Sequence, residues 1–200
     1  MASKDRIQRL KEETRCNIIT AALEIGKQEG WQGLSMRKIA DKIEYTAPII
    51  YEYFSNKEDL LAELTRKGFF LLSKEMQAAK SRHRLPGKQL EAMWMAYWHF
   101  AFDHKEFYQL MYGIEMNCCA FKGTPGPDFV MPSDLVAGVI AELMKDKNPT
   151  DDDICTWYYT FWSVIHGLVS INIVKQGMSD KLNHKVLTNA ITGIIRTISA

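Results

Sequence analysis

The side chains best placed to do chemistry in this 200-residue chain cluster in "LSMRKIADKIEYTAPIIYEYFSNKEDLL", residues 34–61. Two short apolar-periodic segments flank the tripeptide Glu44-Tyr45-Thr46. Ile39, Ala40, Ile43 and Ile50 repeat at helical spacing and can be buried together. Arg37, Tyr51 and Lys57 can each donate a hydrogen bond to a phosphate oxygen. Thr46 stands where the second segment starts, so its hydroxyl and the N–H groups beside it can meet an anion. Helix, tight corner and helix of these lengths describe two things. One is an ordinary hairpin in a helical core. The other is a helix-turn-helix whose second helix enters the major groove of DNA. Spacing alone leaves both open.

Other chemistries find little support. The chain has no G-x-S-x-G, no H-E-x-x-H, no glycine-rich phosphate loop and no paired acids at telling spacing. An enzyme is therefore not expected, and an all-α hydrophobic-ligand carrier or enzyme without DNA binding is kept as the alternative. Cys16, Cys118, Cys119 and Cys155 show no C-x-x-C spacing and no nearby partner histidine, so neither a metal nor a cofactor is expected. The adjacent Cys118 and Cys119 can sense oxidants, although small thiols in a reducing compartment are the plainer reading.

Composition sets the outer limits. Hydrophobic residues make up 46% and charged residues 24%, as in an ordinary globular protein. The formal net charge is +1, which neither advertises nor excludes a nucleic-acid partner, because what matters is charge on one face. No apolar run approaches the roughly 20 residues needed to span a bilayer, so no membrane partner is expected. The N-terminus, "MASKDRIQRLKEETR", is too charged for a signal peptide, which points to the cytoplasm.

The elements that must position these side chains read as helices throughout. Residues 7–29 carry Ile7, Leu10, Ile18, Ile19, Ala22, Leu23 and Ile25 at helical spacing, and Gly30 sits where a C-terminal cap belongs. Ser35 can cap a helix over 36–43, and Thr46 one over 47–54 with Pro48 in its first turn. Ser55-x-x-Glu58 has the pattern of a capping box and opens a long helix to about residue 80. "SRHRLPGK", 81–88, is a polar turn. Helices are then expected over 88–102, over a stretch capped by Asp103 and ending near Gly113, and over 133–146, 151–176 and 181–199. Thr150 and Asp180 are the caps proposed for the last two, and 117–132 reads as a long loop.

Three pieces of the first half, "CNIITAALEIGKQEGWQGLS", "LSMRKIADKI" and "IIYEYFSNKEDLL", carry a resemblance that spacing alone does not. Across 13–65 the chain resembles the N-terminal domain of the tetracycline-repressor (TetR) family of bacterial transcriptional regulators. The resemblance implies an all-α protein with three parts. Residues 1–55 would form a three-helix DNA-binding domain, helix 56–80 a connector, and 81–200 a ligand-binding and dimerisation domain. It puts Thr46, Ala47, Tyr51 and Lys57 on common DNA-contact positions and Arg37 on a frequent backbone contact. The implied partners are a double-stranded DNA operator, a small apolar or aromatic ligand and a second copy of the chain, and the implied role is that of a repressor.

Several residues depart from the family pattern. Glu44 stands at a corner where glycine is common, Glu52 where histidine is usual, and Ala47, Pro48 and Ile49 replace better hydrogen-bond donors. Ala47 and Ile49 can meet thymine methyls, an apolar form of base readout.

The second half is aromatic. "FWSVIHGLVSI", 161–171, is similar to a Trp-x-x-x-His-Gly signature of one TetR C-terminal subgroup, and "FAFDHKEFYQLMYG", 100–113, is similar to the same subgroup. Trp94, Trp98, Phe107, Met111, Tyr112, Trp157, Phe161 and Trp162 are the candidate ligand-contacting residues. Stripes of this kind are usually core, yet buried Trp and Tyr bring N–H and O–H groups that want partners, as a ligand cavity does. The apolar faces of 151–176 (Phe161, Val164, Ile165, Leu168, Ile171) and 181–199 (Val186, Leu187, Ile191, Ile194, Ile195, Ile198) can serve the domain's own core or a two-fold four-helix bundle.

Overall fold

The structure, a computed structural model, describes residues 2–113, 129–174 and 179–200. Its elements are all helical: α1 (Ala2–Glu29), α2 (Met36–Lys42), α3 (Ala47–Tyr51), α4 (Lys57–Lys80), α5 (Pro86–Asp103), α6 (Lys105–Tyr112), α7 (Pro132–Leu143), α8 (Asp151–Val174) and α9 (Asp180–Ser199). No strand occurs among the described residues. Cys118, Cys119 and most of the expected loop 117–132, residues 117–128, lie outside them; Pro132 already opens α7.

The chain divides into two compact units. The first holds the residues up to Gly68 together with α6, and the second holds Phe69–His104 with α7, α8 and α9. This groups the chain differently from the segments 1–55, 56–80 and 81–200, because α4 contributes to both units and α6 joins the first.

In the first unit, Ile18, Ile19 and Ala22 of α1 meet Ile39 and Ala40 of α2, Ile50 of α3, Phe54, and Leu60, Leu61 and Leu64 of α4 in one core. The indole Nε1 of Trp31 donates to the Glu106 carbonyl at 3.1 Å, which fastens α6 to this unit. A methionine, Met111, also fits closely here: a Cβ on Gly68 would lie 2.6 Å from its sulfur.

The corner between α2 and α3 is a Schellman motif. The Tyr45 N–H donates to the Ala40 carbonyl at 2.9 Å and the Glu44 N–H to the Asp41 carbonyl at 3.3 Å. The motif needs a left-handed residue, and Glu44 supplies it with φ +58. Glycine adopts that conformation freely, whereas a side chain's Cβ crowds the following carbonyl. The Glu44 side chain is exposed. Glu44→Gly is therefore expected to raise stability by about 0.5–1 kcal/mol, read from the midpoint of urea unfolding. An equal or lower midpoint would show that the corner is not strained. Gly30, at φ +75, closes α1 at the position read from the sequence.

Four capping expectations are corrected. Ser35 does cap α2, accepting from the Lys38 N–H at 3.3 Å. Thr46, however, precedes α3 without a side-chain hydrogen bond to it, and α3 ends at Tyr51 rather than at residue 54. The box before α4 is shifted by one residue: Asn56 Oδ1 accepts from the Asp59 N–H (2.7 Å), and Asp59 Oδ2 accepts from the Ser55 N–H (3.0 Å). Phe54 N–H still bonds back to Ile50, so Ser55 belongs to the exit from α3 and Asn56 is the first residue free to cap. Asp103 is the last residue of α5, not a cap, and Asp180 is the first residue of α9, preceded by Ser179. Thr150 caps α8 as read, in a reciprocal pair with Asp153.

The second unit is built on α5, whose Leu90, Met93, Trp94, Tyr97 and Phe100 are buried. Val136, Val139 and Ile140 of α7, Phe161, Ile165 and Val169 of α8, and Leu187, Ile191 and Ile198 of α9 complete its core. Val164 and Ile171, read as part of the same α8 face as Phe161, are instead exposed.

Candidate nucleic-acid interface and ligand region

α2 braces α3 through Ile39, Ala40 and Ile50, which leaves one side of the corner to solvent. Tyr51 is 52% exposed and Tyr45 42%. Thr46 is exposed, and because its hydroxyl does not cap α3 it remains available to a phosphate oxygen. Ala47 and Ile49 are half-buried, with Ala47 packed on the core, so each offers part of its side chain outward.

Charge on this face is thinned by internal pairing. Of the three cations on α2, Lys38 pairs with Glu29 and Lys42 with Glu24 at 2.9 Å. Arg37 is exposed and makes no ion pair among the described residues. Lys57 is half-buried and spends one of its three donors on the Trp31 carbonyl, 2.9 Å away. Two protons remain for an outside acceptor. Glu44 and Glu52 flank α3 on the surface and oppose phosphate approach.

The exit of α3 is held by a group that sequence reasoning missed. The guanidinium of Arg15 lies 4.9 Å over the ring of Phe54 and donates to Glu63 at 3.2 Å. Arg66 donates to the same carboxylate at 2.6 and 3.0 Å. Burial raises the Glu63 carboxyl pKa, but the hydrogen bonds from Arg66 and Arg15 outweigh it and hold the group below its usual range. The partners lie 48 positions apart in the chain, so no local pattern announces them.

The eight candidate ligand residues divide between the units. Trp94 is 1% exposed, stacked on Phe161 (centroids 5.6 Å apart, planes at 20°) and edge-on to Tyr97 at 5.6 Å. Tyr97 Oη and His166 Nδ1 are 3.1 Å apart, and His166 stacks on Trp162 at 4.8 Å. Burial lowers the His166 pKa, which favours the neutral imidazole. Burial likewise pushes the neighbouring Tyr158 phenol up to about 12. Trp98 lies against Phe102, and Trp157 is half-buried on α8. Phe107, Met111 and Tyr112 belong to the first unit, where Met111 is buried and Tyr112 meets Tyr108 at 4.9 Å. Trp94 and Phe161 thus fill space in the second unit rather than line a gap. A cleft of about 670 Å³ does open in that unit, between the second half of α4 and the start of α7, and none of the eight residues lines it.

Two family models match this chain, one in each half of the sequence. Residues 18–64 match the model of the bacterial regulatory proteins, tetR family, and residues 90–188 match that of the tetracyclin repressor-like C-terminal domain. The chain is 25% identical over 135 residues, 64% of its own length and 72% of the relative's, to an uncharacterized HTH-type transcriptional regulator from Haemophilus influenzae. Among solved structures, a protein of unknown function from Rhodococcus sp. RHA1 superposes with a TM-score of 0.74 at 21% identity, covering 93% of this chain and 95% of that one. RolR, solved in complex with resorcinol, gives 0.65 at 12% identity, covering 96% and 95%. At these identities the structures speak to the fold.

Proposed function

This chain belongs to the TetR family of bacterial transcriptional regulators, and we propose that it is a repressor, binding a pseudo-palindromic operator as a homodimer and released by a small, largely apolar ligand. DNA binding and response to a ligand follow from the family. Repression, the operator's symmetry and the dimer are the proposal. The observation that carries it is the exposed corner, with Arg37, Thr46 and Tyr51 turned to solvent around a short helix braced from behind.

A two-fold dimer would set two copies of α3 roughly 34–36 Å apart, one turn of duplex. Tyr51, Arg37 and Lys57 would hold the backbone and fix register, while Ala47 and Ile49 would read thymine methyls. The dimer would form through α8 and α9, which carry exposed apolar side chains. α4 runs unbroken from Lys57, just after the corner, to Lys80 in the second unit, and offers a route by which a ligand could favour one spacing of α3 over another. A preference of about 1–3 kcal/mol suffices. RolR's resorcinol shows the fold accepting a small aromatic molecule in that protein.

The test uses DNA flanking the protein's own gene and fluorescence anisotropy over a salt series. Tyr51→Ala and Arg37→Ala are each expected to weaken binding about tenfold, roughly 1.4 kcal/mol, and to do so for all sequences alike. Arg37→Ala should also reduce the slope of log affinity against log salt by about 1. Affinities matching the parent protein in both variants would remove this face from the interface.

A further inference from the structure

The cleft in the second unit is used by nothing described so far. Along α4, residues 69–80 carry three charged side chains: Lys74, Glu75 and Lys80. They are sorted by sign. Glu75 turns toward α5 and pairs with His104 Nε2 at 3.1 Å, whereas Lys74 and Lys80 line the cleft. Neither lysine has a hydrogen bond or ion pair among the described residues, and no carboxylate is among the described residues that line the cleft. Apolar side chains share the lining: Phe70, one turn before Lys74 on α4, and Phe129, Val130 and Leu135. Phe70, 53% exposed, stacks on Phe129 with centroids 6.1 Å apart and planes at 27°. The Ser73 hydroxyl donates to the Val130 carbonyl at 2.6 Å, which fastens the second ring's segment alongside α4.

These features ask for one kind of occupant. The exposed ring of Phe70 and the half-buried ring of Phe129 gain by covering a flat apolar body, and two ammonium groups with no ion pair among the described residues gain from an anion. The cleft's volume, about 670 Å³, falls within the range that holds a drug-sized organic molecule. We propose that this cleft binds an aromatic organic acid, its ring against Phe70 and Phe129 and its carboxylate or sulfonate between Lys74 and Lys80. As a regulatory site the cleft rests on the function proposed above, because it lies on the helix that begins beside the DNA-binding corner; as a binding site it stands alone.

A pair of dyes tests it on the full chain: 1-anilinonaphthalene-8-sulfonate and its uncharged counterpart N-phenyl-1-naphthylamine. The sulfonate is expected to bind one per chain. The Lys74→Gln/Lys80→Gln variant should bind it at least about tenfold more weakly, with the neutral dye changed less than about twofold. Phe70→Ser should weaken both, and circular dichroism melts check that each variant is folded. Equal sulfonate affinity in parent and double variant would overturn the proposal. So would dye binding that falls as protein concentration rises, since a second copy of the chain would then be the occupant. DNA binding without dye is measured separately. Its absence would count against the regulator and leave the cleft's support intact, whereas a lost dye response with intact DNA binding would sink the cleft alone.

Discussion

Trp94→Ala is expected to destabilise the protein by about 3–5 kcal/mol, the usual cost of emptying a large aromatic site in a packed core. The ring is 1% exposed and touches Tyr97, Tyr158 and Phe161, so its removal leaves a hole between α5 and α8 that only a shift of these packed helices could close. A domain's whole stability is about 5–15 kcal/mol, so the variant would stand near its unfolding threshold. Trp98→Ala, at a half-buried ring against Phe102, is expected to cost much less. Urea unfolding followed by far-ultraviolet circular dichroism measures both. A Trp94→Ala loss below about 1 kcal/mol would mean that the ring borders empty space in the ligand-free protein, as the wall of a ligand cavity would. The buried Trp94 Nε1, which has no hydrogen-bond partner among the described residues, is a feature of this cluster that favours such a wall.

The contrast with the DNA-binding corner shows which parts of the fold can be read along the chain. Gly30, Ser35 and Thr150 act within one helical turn of themselves, and the structure uses each as its residue type suggests. The box before α4 was displaced because Ser55-x-x-Glu58 and Asn56-x-x-Asp59 are both valid capping patterns one residue apart. Only the end of α3 decides between them, and that depends on Phe54 bonding back to Ile50. The cleft was out of reach for a different reason. Phe70 and Phe129 are 59 positions apart, and Lys74 reads as one more solvated charge until Glu75 is seen to turn the other way.

α8 posed the hardest problem, because it is apolar on more than one side, and periodicity cannot then say which side faces the core. Phe161, Ile165 and Val169 go inward, each four residues from the last. Val164, Ile171 and Val174 are left outside, with Ile171 59% and Val174 81% exposed, and Leu182 and Val186 of α9 are exposed as well. A Cβ at Gly167 or Gly193 would meet nothing within 4 Å, so the fold of the single chain does not require those positions to be small. A surface with that much apolar area and two needless glycines is explained by close approach of another helix pair, as the proposed homodimer supplies.

Val164→Glu combined with Ile171→Glu is accordingly expected to split the dimer. Full burial of a Val or Ile side chain contributes about 1.5–3 kcal/mol, and each substitution is made twice in a two-fold interface. Loss of that burial, with uncompensated carboxylates left at the seam, should weaken association by at least about 100-fold, roughly 2.7 kcal/mol. Thermal unfolding measured below the dissociation constant should change little, because neither side chain packs in the core of its own chain. Operator affinity should fall with association, since one recognition helix alone holds half a site. Sedimentation equilibrium at micromolar protein decides the matter: a variant that keeps the parent's dimeric mass would remove this face of α8 from the interface, and a parent protein that is itself monomeric on DNA would remove the homodimer.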